Sequence, residues 1–308
     1  MATTTSITTT YAGEFAGKYV SAALLSGSTL ANDLITIKPN VKFKEVMKKV
    51  ASDAIVKNGT CDFTATSTLT LTERILQPEE FQVNLQLCKK DFISDWEAIS
   101  MGYSAFSDLP SSFSDFLIAH VAGKVAQKTE QNIYQGVNAT EGEFDGFEVT
   151  LAADGDVVDV GAGAAVTAAN AVDKIGLTVD AIPSSVYGSE DLQIIVAPNV
   201  YRAYVRALGG FATNVGAAGT DNKGTQWFNG GALTFDGINV VLGQGMSSDK
   251  MIAAEKSNLF FGTGLLSDSQ EIKVIDMADI DGSQNVRIVM RYTAGIQHAI
   301  GSDIVLYS

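Results

Sequence analysis

Few residues in this chain could do chemistry, and they are scattered. The sequence holds two cysteines and two histidines. Cys61, Cys88, His120 and His298 lie too far apart for the close four-ligand spacing of a structural zinc site. A Cys61–Cys88 disulfide can be tested by side-chain parity. Between Cys61 and Thr72 the even positions are Asp or Thr, while Cys61, Phe63, Leu69 and Leu71 fall on odd ones. Between Phe81 and Cys88 the apolar Phe81, Val83, Leu85 and Leu87 are odd and Cys88 is even. If the two runs form one hairpin with coincident apolar faces, the cysteines point to opposite sides and no bridge is expected unless a bulge intervenes.

His120 falls on an apolar stripe, the position of a buried, hydrogen-bonded histidine rather than a ligand or general base. His298 has no Ser, Cys or carboxylate at a spacing that suggests a triad. Neither reads as catalytic. Val157 to Val166 imitates a dinucleotide-binding loop around Gly161, but Val166 stands where the third glycine belongs, and Asp180 falls only near the acidic position. One candidate βαβ unit surrounds it. It reads instead as a flexible Gly/Ala link into a helix whose Val172, Ile175, Val179 and Ile182 step by three and four before Pro183 ends it. No catalytic, cofactor-binding or metal-binding residue is assigned, and no enzyme is expected.

The 308 residues, at 46% hydrophobic content, suffice for one large domain or two ordinary ones. With 18% charged residues the composition is not that of a disordered chain. Lys and Arg number 21 against 35 Asp and Glu, a net charge of -14, which argues against wrapping nucleic acid over the surface. No window approaches 18 uninterrupted apolar residues, and the first ten residues carry neither a basic nor an apolar region. Neither a membrane span nor a secretory signal is expected. Against the overall charge, Lys38, Lys42, Lys44, Lys48, Lys49 and Lys57 face only Glu45 and Asp53, a local balance of 6 − 2 = +4. This stretch is either a solvated face or a patch that lies on an acidic surface of another copy.

The elements follow in a definite order. Residues 1–40 read as an extended arm. A β-hairpin of about thirty residues turns at Gln77-Pro78-Glu79-Glu80, and a two-stranded ribbon of that length needs something to lie on. A short aromatic segment, 91–97, precedes the strongest helical signal, 112–136. There Phe113, Phe116, Leu117, His120, Val121, Val125 and Ile133 make a stripe, Ser112 and Asp115 resemble a capping box, and Gly136 is the stop. Such a helix is about 36 Å long. Residues 142–160 read as short strands. Leu192–Ala197 reads as a strand, Pro198-Asn199 as a helix start, and Val200–Leu208 as a helix closed by Gly209-Gly210. Residues 209–231, with seven glycines, read as a loop. Strands are expected at 238–242, 250–254, 258–261 and 271–276, followed by a long terminal pair, 286–293 and 296–307. The fold class is α+β.

That order, with Ile194-Ile-Val-Ala-Pro-Asn-Val-Tyr-Arg-Ala-Tyr204, Phe235-Asp-Gly-Ile-Asn-Val-Val241, Met251–Phe261, Arg287–Arg291 and Asp303–Tyr307 in their places, resembles the tailed-phage major capsid proteins. Theirs is the shell fold first described for a Hong Kong phage and shared with encapsulins. The resemblance implies an N-terminal arm (1–40), an extended loop with its flanks (41–92) and a peripheral domain (93–165 and 272–308) with a spine helix at about 112–136. It also implies an axial domain (166–271). It implies a structural protein that assembles with copies of itself into hexamers and pentamers of an icosahedral shell around double-stranded DNA, without binding that DNA specifically. A separate scaffolding protein is expected, since the arm begins almost at once, with a portal protein and decoration proteins as further partners. The implied location is the virion capsid, assembled in the host cytoplasm. Relatives that weld subunits use a Lys and an Asn, but no local motif marks such a pair here. The rival readings are an encapsulin-like compartment, a dinucleotide-dependent enzyme built on the Gly161 loop, and a surface adhesin.

Overall fold

The computed structural model describes residues 28–52, 56–59, 61, 65, 69–89, 111–161, 165–208, 233–264 and 272–308. Residues 1–27 of the expected arm, the aromatic segment 91–97 and the glycine-rich stretch 209–231 lie outside them. The chain divides into a larger compact unit (27–79, 129–264 and 294–308) and a smaller one (1–26, 80–128 and 265–293).

The larger unit is built on a six-stranded sheet in the order β5-β13-β9-β6-β8-β7. Its centre is β6 (Leu192–Val196), buried at every residue. Four of its five residues are apolar, and the buried Gln193 amide donates to the Leu34 carbonyl, as suits a strand covered on both faces. On one side β6 runs parallel to β8 (Ile238–Leu242), from Gln193↔Asn239 to Val196↔Leu242. On the other it runs antiparallel to β9 (Met251–Glu255). The edges are β7 (Leu233–Phe235) beside β8, and β13 (Val305–Tyr307) with the two-residue β5 (Val158–Asp159) beyond β9.

Two helices pack against this sheet and each other. One, α4 (Ala171–Asp180), buries Ile175 and Val179 but leaves Val172 exposed, so only part of the expected stripe faces the core. The other, α5 (Pro198–Leu208), opens at Pro198, whose missing N–H costs nothing at a first helical position. It buries Val200, Ala203 and Tyr204, and the Tyr204 hydroxyl donates to the Thr234 carbonyl at 2.7 Å.

A second set of strands in this unit pairs β1 (Thr36–Lys38) in parallel with β10 (Leu259–Gly262), and β10 antiparallel with residues 295–298 of β12 (Asn285–His298). The helical turn α1 (Ser28–Ala31) precedes β1, so residues 28–38 are a short helix and a strand rather than wholly extended. The ribbon consists of β2 (Glu45–Ser52) antiparallel to β3 (Leu69–Leu76), eight pairs from Glu45↔Leu76 to Ser52↔Leu69. Residues 129–135 of the long helix α2 (Ser111–Gln135) and the short α3 (Phe147–Ala152) complete the unit.

The smaller unit contains residues 111–128 of α2, most of β4 (Glu79–Cys88), β11 (Ile272–Asp276), the short α6 (Ala278–Asp281) and residues 285–293 of β12. Strand β12 pairs with β4 and antiparallel with β11 from Ile272↔Met290 to Asp276↔Val286. Its Val286, Ile288 and Met290 are buried while Arg287 is exposed, the period of two that a half-covered strand shows. The Lys89 ammonium meets the Asp276 carboxylate at 2.6 Å.

Three expectations are corrected. Residues 69–72 do not pair with 81–88: they belong to β3, which returns along β2, and 81–88 belongs to β4 against β12, while most of 61–68 lies outside the described residues. Gln77-Pro78, the only residues between β3 and β4, cannot form the left-handed two-residue turn of a tight hairpin because proline fixes φ near -65°. Within 142–160, residues 147–152 are helical, because Phe147 and Leu151 are buried at a four-residue step rather than by alternation. The expected terminal pair is one 14-residue strand, β12, followed by the short β13. Gly295 marks no turn there. A Cβ on it would stand 2.9 Å from the Gln77 carbonyl oxygen and the Pro78 Cα, so glycine allows two backbones to approach within the strand. The expected helix at 112–136 is found at Ser111–Gln135.

Candidate functional site

The polar residues singled out from the sequence are not gathered into one reactive centre. Cys61 is exposed and Cys88 half-buried, and both are free thiols. His120 is half-buried on α2. His298 is fully buried, with Nε2 2.7 Å from Asp154 Oδ2, and the Arg74 guanidinium donates to that same carboxylate oxygen. The carboxylate beside His298 comes from 144 residues away, so no local spacing could have announced it.

Burial alone would raise the Asp154 pKa. Hydrogen bonds from His298 and from the Asp156 backbone N–H, with the charge and hydrogen bond of Arg74, outweigh burial and hold it below the ordinary carboxylate value. Burial pushes the His298 pKa down. The hydrogen bond to Asp154 opposes this and the Arg74 charge adds to it, so the ring favours its neutral form. Nδ1 of His298 has no hydrogen-bond partner among the described residues. The three side chains join β3, the segment after α3, and β12.

A second buried carboxylate is Glu130 of α2. It accepts hydrogen bonds from Ser28 Oγ at 3.2 Å, from the Thr29 backbone N–H at 3.2 Å and from Thr29 Oγ1 at 2.5 Å. Thr29 Oγ1 also lies 2.8 Å from the Tyr134 hydroxyl. Burial raises the Glu130 pKa against the lowering effect of these donors. This cluster ties α1 to α2 by satisfied polar groups, as buried polar groups require.

The segment that imitates a nucleotide loop uses its own acids on its backbone. Gly161 N–H donates to Asp159 Oδ1 at 2.8 Å, and Val166 N–H donates to Asp249 Oδ1 at 2.7 Å. Carboxylates placed on these N–H groups occupy the donors that a phosphate would need and would repel it.

What the fold does present is the ribbon. Its base is anchored on one face: Leu76 is fully buried beside Gly262, Arg74 is paired with Asp154, and Glu45 accepts from Lys38 at 2.5 Å. The other face is open. Val46 and Ile75, paired directly, are 44% and 45% exposed. The same parity continues through Lys48↔Glu73. Lys42, Lys44 and Lys48 are exposed, and Phe43, ahead of β2, is 70% exposed. A two-stranded sheet with apolar and cationic side chains in water can bind another surface. Nothing in it points to bond-making chemistry.

No protein-family model matches this chain, and no curated protein matches it by sequence. Solved structures do. The capsid of a native GTA particle is 14% identical with a TM-score of 0.64, over 94% of this chain and 92% of that one. The capsid of Myoviridae phage XM1 is 13% identical with a TM-score of 0.56, over 94% and 96%. The procapsid of satellite phage P4, a structure that includes a size determination protein, is 11% identical with a TM-score of 0.51, over 91% and 98%. At such identities the likeness is one of fold, and it spans nearly the full length of both chains: this protein has the fold of the phage and GTA capsid proteins.

Proposed function

We propose that the chain is a structural, non-enzymatic major capsid protein of a tailed phage, which assembles with its own copies into hexamers and pentamers of an icosahedral shell around double-stranded DNA. The observation that carries this reading is the anchored ribbon with an uncovered apolar face, in a fold shared with capsids over nearly the whole chain. A strand pair that cannot bury both faces in one molecule is completed by a neighbour, and repetition of that contact about symmetry axes closes a shell.

In this reading residues 1–40 are the arm, 41–92 the extended loop and its flanks, 93–165 with 272–308 the peripheral domain, and 166–271 the axial domain. The helix Ser111–Gln135 is the spine. The P4 procapsid, whose structure includes a size determination protein, supports assembly on a separate scaffolding partner. Portal and decoration proteins and assembly in the host cytoplasm belong to the same proposal. A net charge of -14 keeps the packaged duplex from adhering to the wall, because phosphate binding requires Lys and Arg. Among the described residues no helix is long and apolar enough to cross a membrane.

The test is nuclease protection in particles purified from an infected or lysogenic host. Duplex DNA that survives nuclease in intact particles and is lost when they are opened is the expected result. Particles filled with protein and free of DNA would instead identify an encapsulin-like compartment.

A further inference from the structure

The larger unit carries a projection and a hollow side by side. The projection is Lys42-Phe43-Lys44, just ahead of β2. Phe43 is 70% exposed, Lys44 Nζ lies 5.2 Å from its ring centroid, and both lysines are exposed. The hollow, about 180 Å3, is large enough for one aromatic side chain and is formed by the β3–β4 connection, the loop after α2, and β12. Ile75, Phe144 and Ile296 supply its apolar lining, and Glu79, Asp145 and Gln77 its polar one. Asp145 Oδ1 accepts the Asn138 N–H at 2.9 Å, which holds the loop that carries Phe144. Glu45 of β2 is paired with Leu76, and Gln77 and Glu79 follow at once in sequence, so projection and hollow neighbour each other on one chain.

Their chemistries are complementary. A ring flanked by ammonium groups matches a hollow of mixed lining that carries two carboxylates and an apolar floor, yet Phe43 does not line the hollow of its own chain. We propose that Phe43 of one copy seats in the Ile75–Phe144–Ile296 hollow of a second copy, with Lys42 and Lys44 against Glu79 and Asp145. The contact is reciprocal about a two-fold axis. A patch that holds both halves of a contact is self-complementary, which is the condition for an isologous interface. The buried ring is the anchor, and the charge pairs fix register and exclude misaligned encounters. The proposal rests on the shell reading only in needing a second copy. It adds the contact and its symmetry.

The experiment uses full-length protein and two charge reversals, Lys44→Glu and Glu79→Lys, followed by sedimentation velocity of each variant and of their equimolar mixture. Alone, each variant sets like charges across both halves of the two-fold contact. The expected result is about a tenfold loss of associated material, since like-charge juxtaposition costs more than the ~1.4 kcal/mol of a factor of ten. In the mixture every reversed side chain meets its opposite, and association returns to the wild-type level. Phe43→Ala is expected to lose association and to be rescued by neither variant, and wild-type melting midpoints confirm that all three fold. If the single reversals associate like wild type, or the mixture does no better than its components, this contact is wrong while the shell reading stands. Wild-type protein that stays monomeric even when expressed with its scaffolding partner removes the shell reading, and the contact with it.

Discussion

At the scale of single residues, the buried trio of Arg74, Asp154 and His298 sets how the larger unit responds to acid. Because burial lowers the His298 pKa, the folded chain binds fewer protons at this site than the unfolded one once pH falls below the ordinary histidine value of about 6.5. Stability from His298 is therefore complete above that value and declines as pH falls through it. Asp154, held below the ordinary carboxylate value, adds a separate decline that begins only below about pH 3.9. Between about pH 7 and 5 His298 should lower the urea midpoint of the wild type as pH falls, while Glu130, its pKa raised by burial, acts in the opposite sense in wild type and variant alike. For His298→Gln that lowering should be lost, even though the variant is less stable overall. An unchanged slope would show that the imidazole is not the group responsible. Nothing near His298 in sequence pointed to this arrangement, since Arg74 and Asp154 reach it only through the fold.

At the scale of elements, the ribbon has two faces with different duties, and substitution separates them. Leu76 is fully buried at its base, so Leu76→Ala should cost ~2–5 kcal/mol in the unfolding free energy of the unassembled chain. Ile75, its neighbour, is 45% exposed, so Ile75→Ala should leave that free energy within about 1 kcal/mol of wild type while lowering the yield of assembled particles. Equal losses of stability in both variants would mean that the open face is covered within one chain.

Much of the element order was legible from local pattern. The stripe on α2, the largely apolar run of β6, and Pro198 at the head of α5 are signals that each segment carries within itself. Strand partners were not legible. The alternating runs 69–76 and 81–88 fit each other as well as they fit β2 or β12, because parity tells which way a side chain points and not which strand lies alongside. The lysines of β2 drew the eye to charge and hid an alternating strand. The break expected between 293 and 296 is absent because Gly295 admits a close backbone approach, visible only when Gln77 and Pro78 are in place. The open apolar face was half legible in odd-numbered Ile75, while its pairing with Val46 needed the register.

At the scale of the whole molecule, the same features describe an assembly subunit. The chemistry-bearing side chains in the described part are spent on internal ties: Glu130 on α1, Asp154 on Arg74 and His298, Asp159 and Asp249 on backbone N–H groups. At the ribbon and just ahead of it, Phe43, Val46 and Ile75 are exposed beside the exposed Lys42, Lys44 and Lys48. Association through such surfaces depends on protomer concentration and closes by symmetry. The most direct measurement is electron cryo-microscopy of the full-length protein expressed with its scaffolding partner. The account predicts closed particles of uniform diameter in which the open face of β2–β3 is covered by a neighbouring copy. A monodisperse monomer under those conditions, or closed particles in which Val46 and Ile75 remain in solvent, would contradict it.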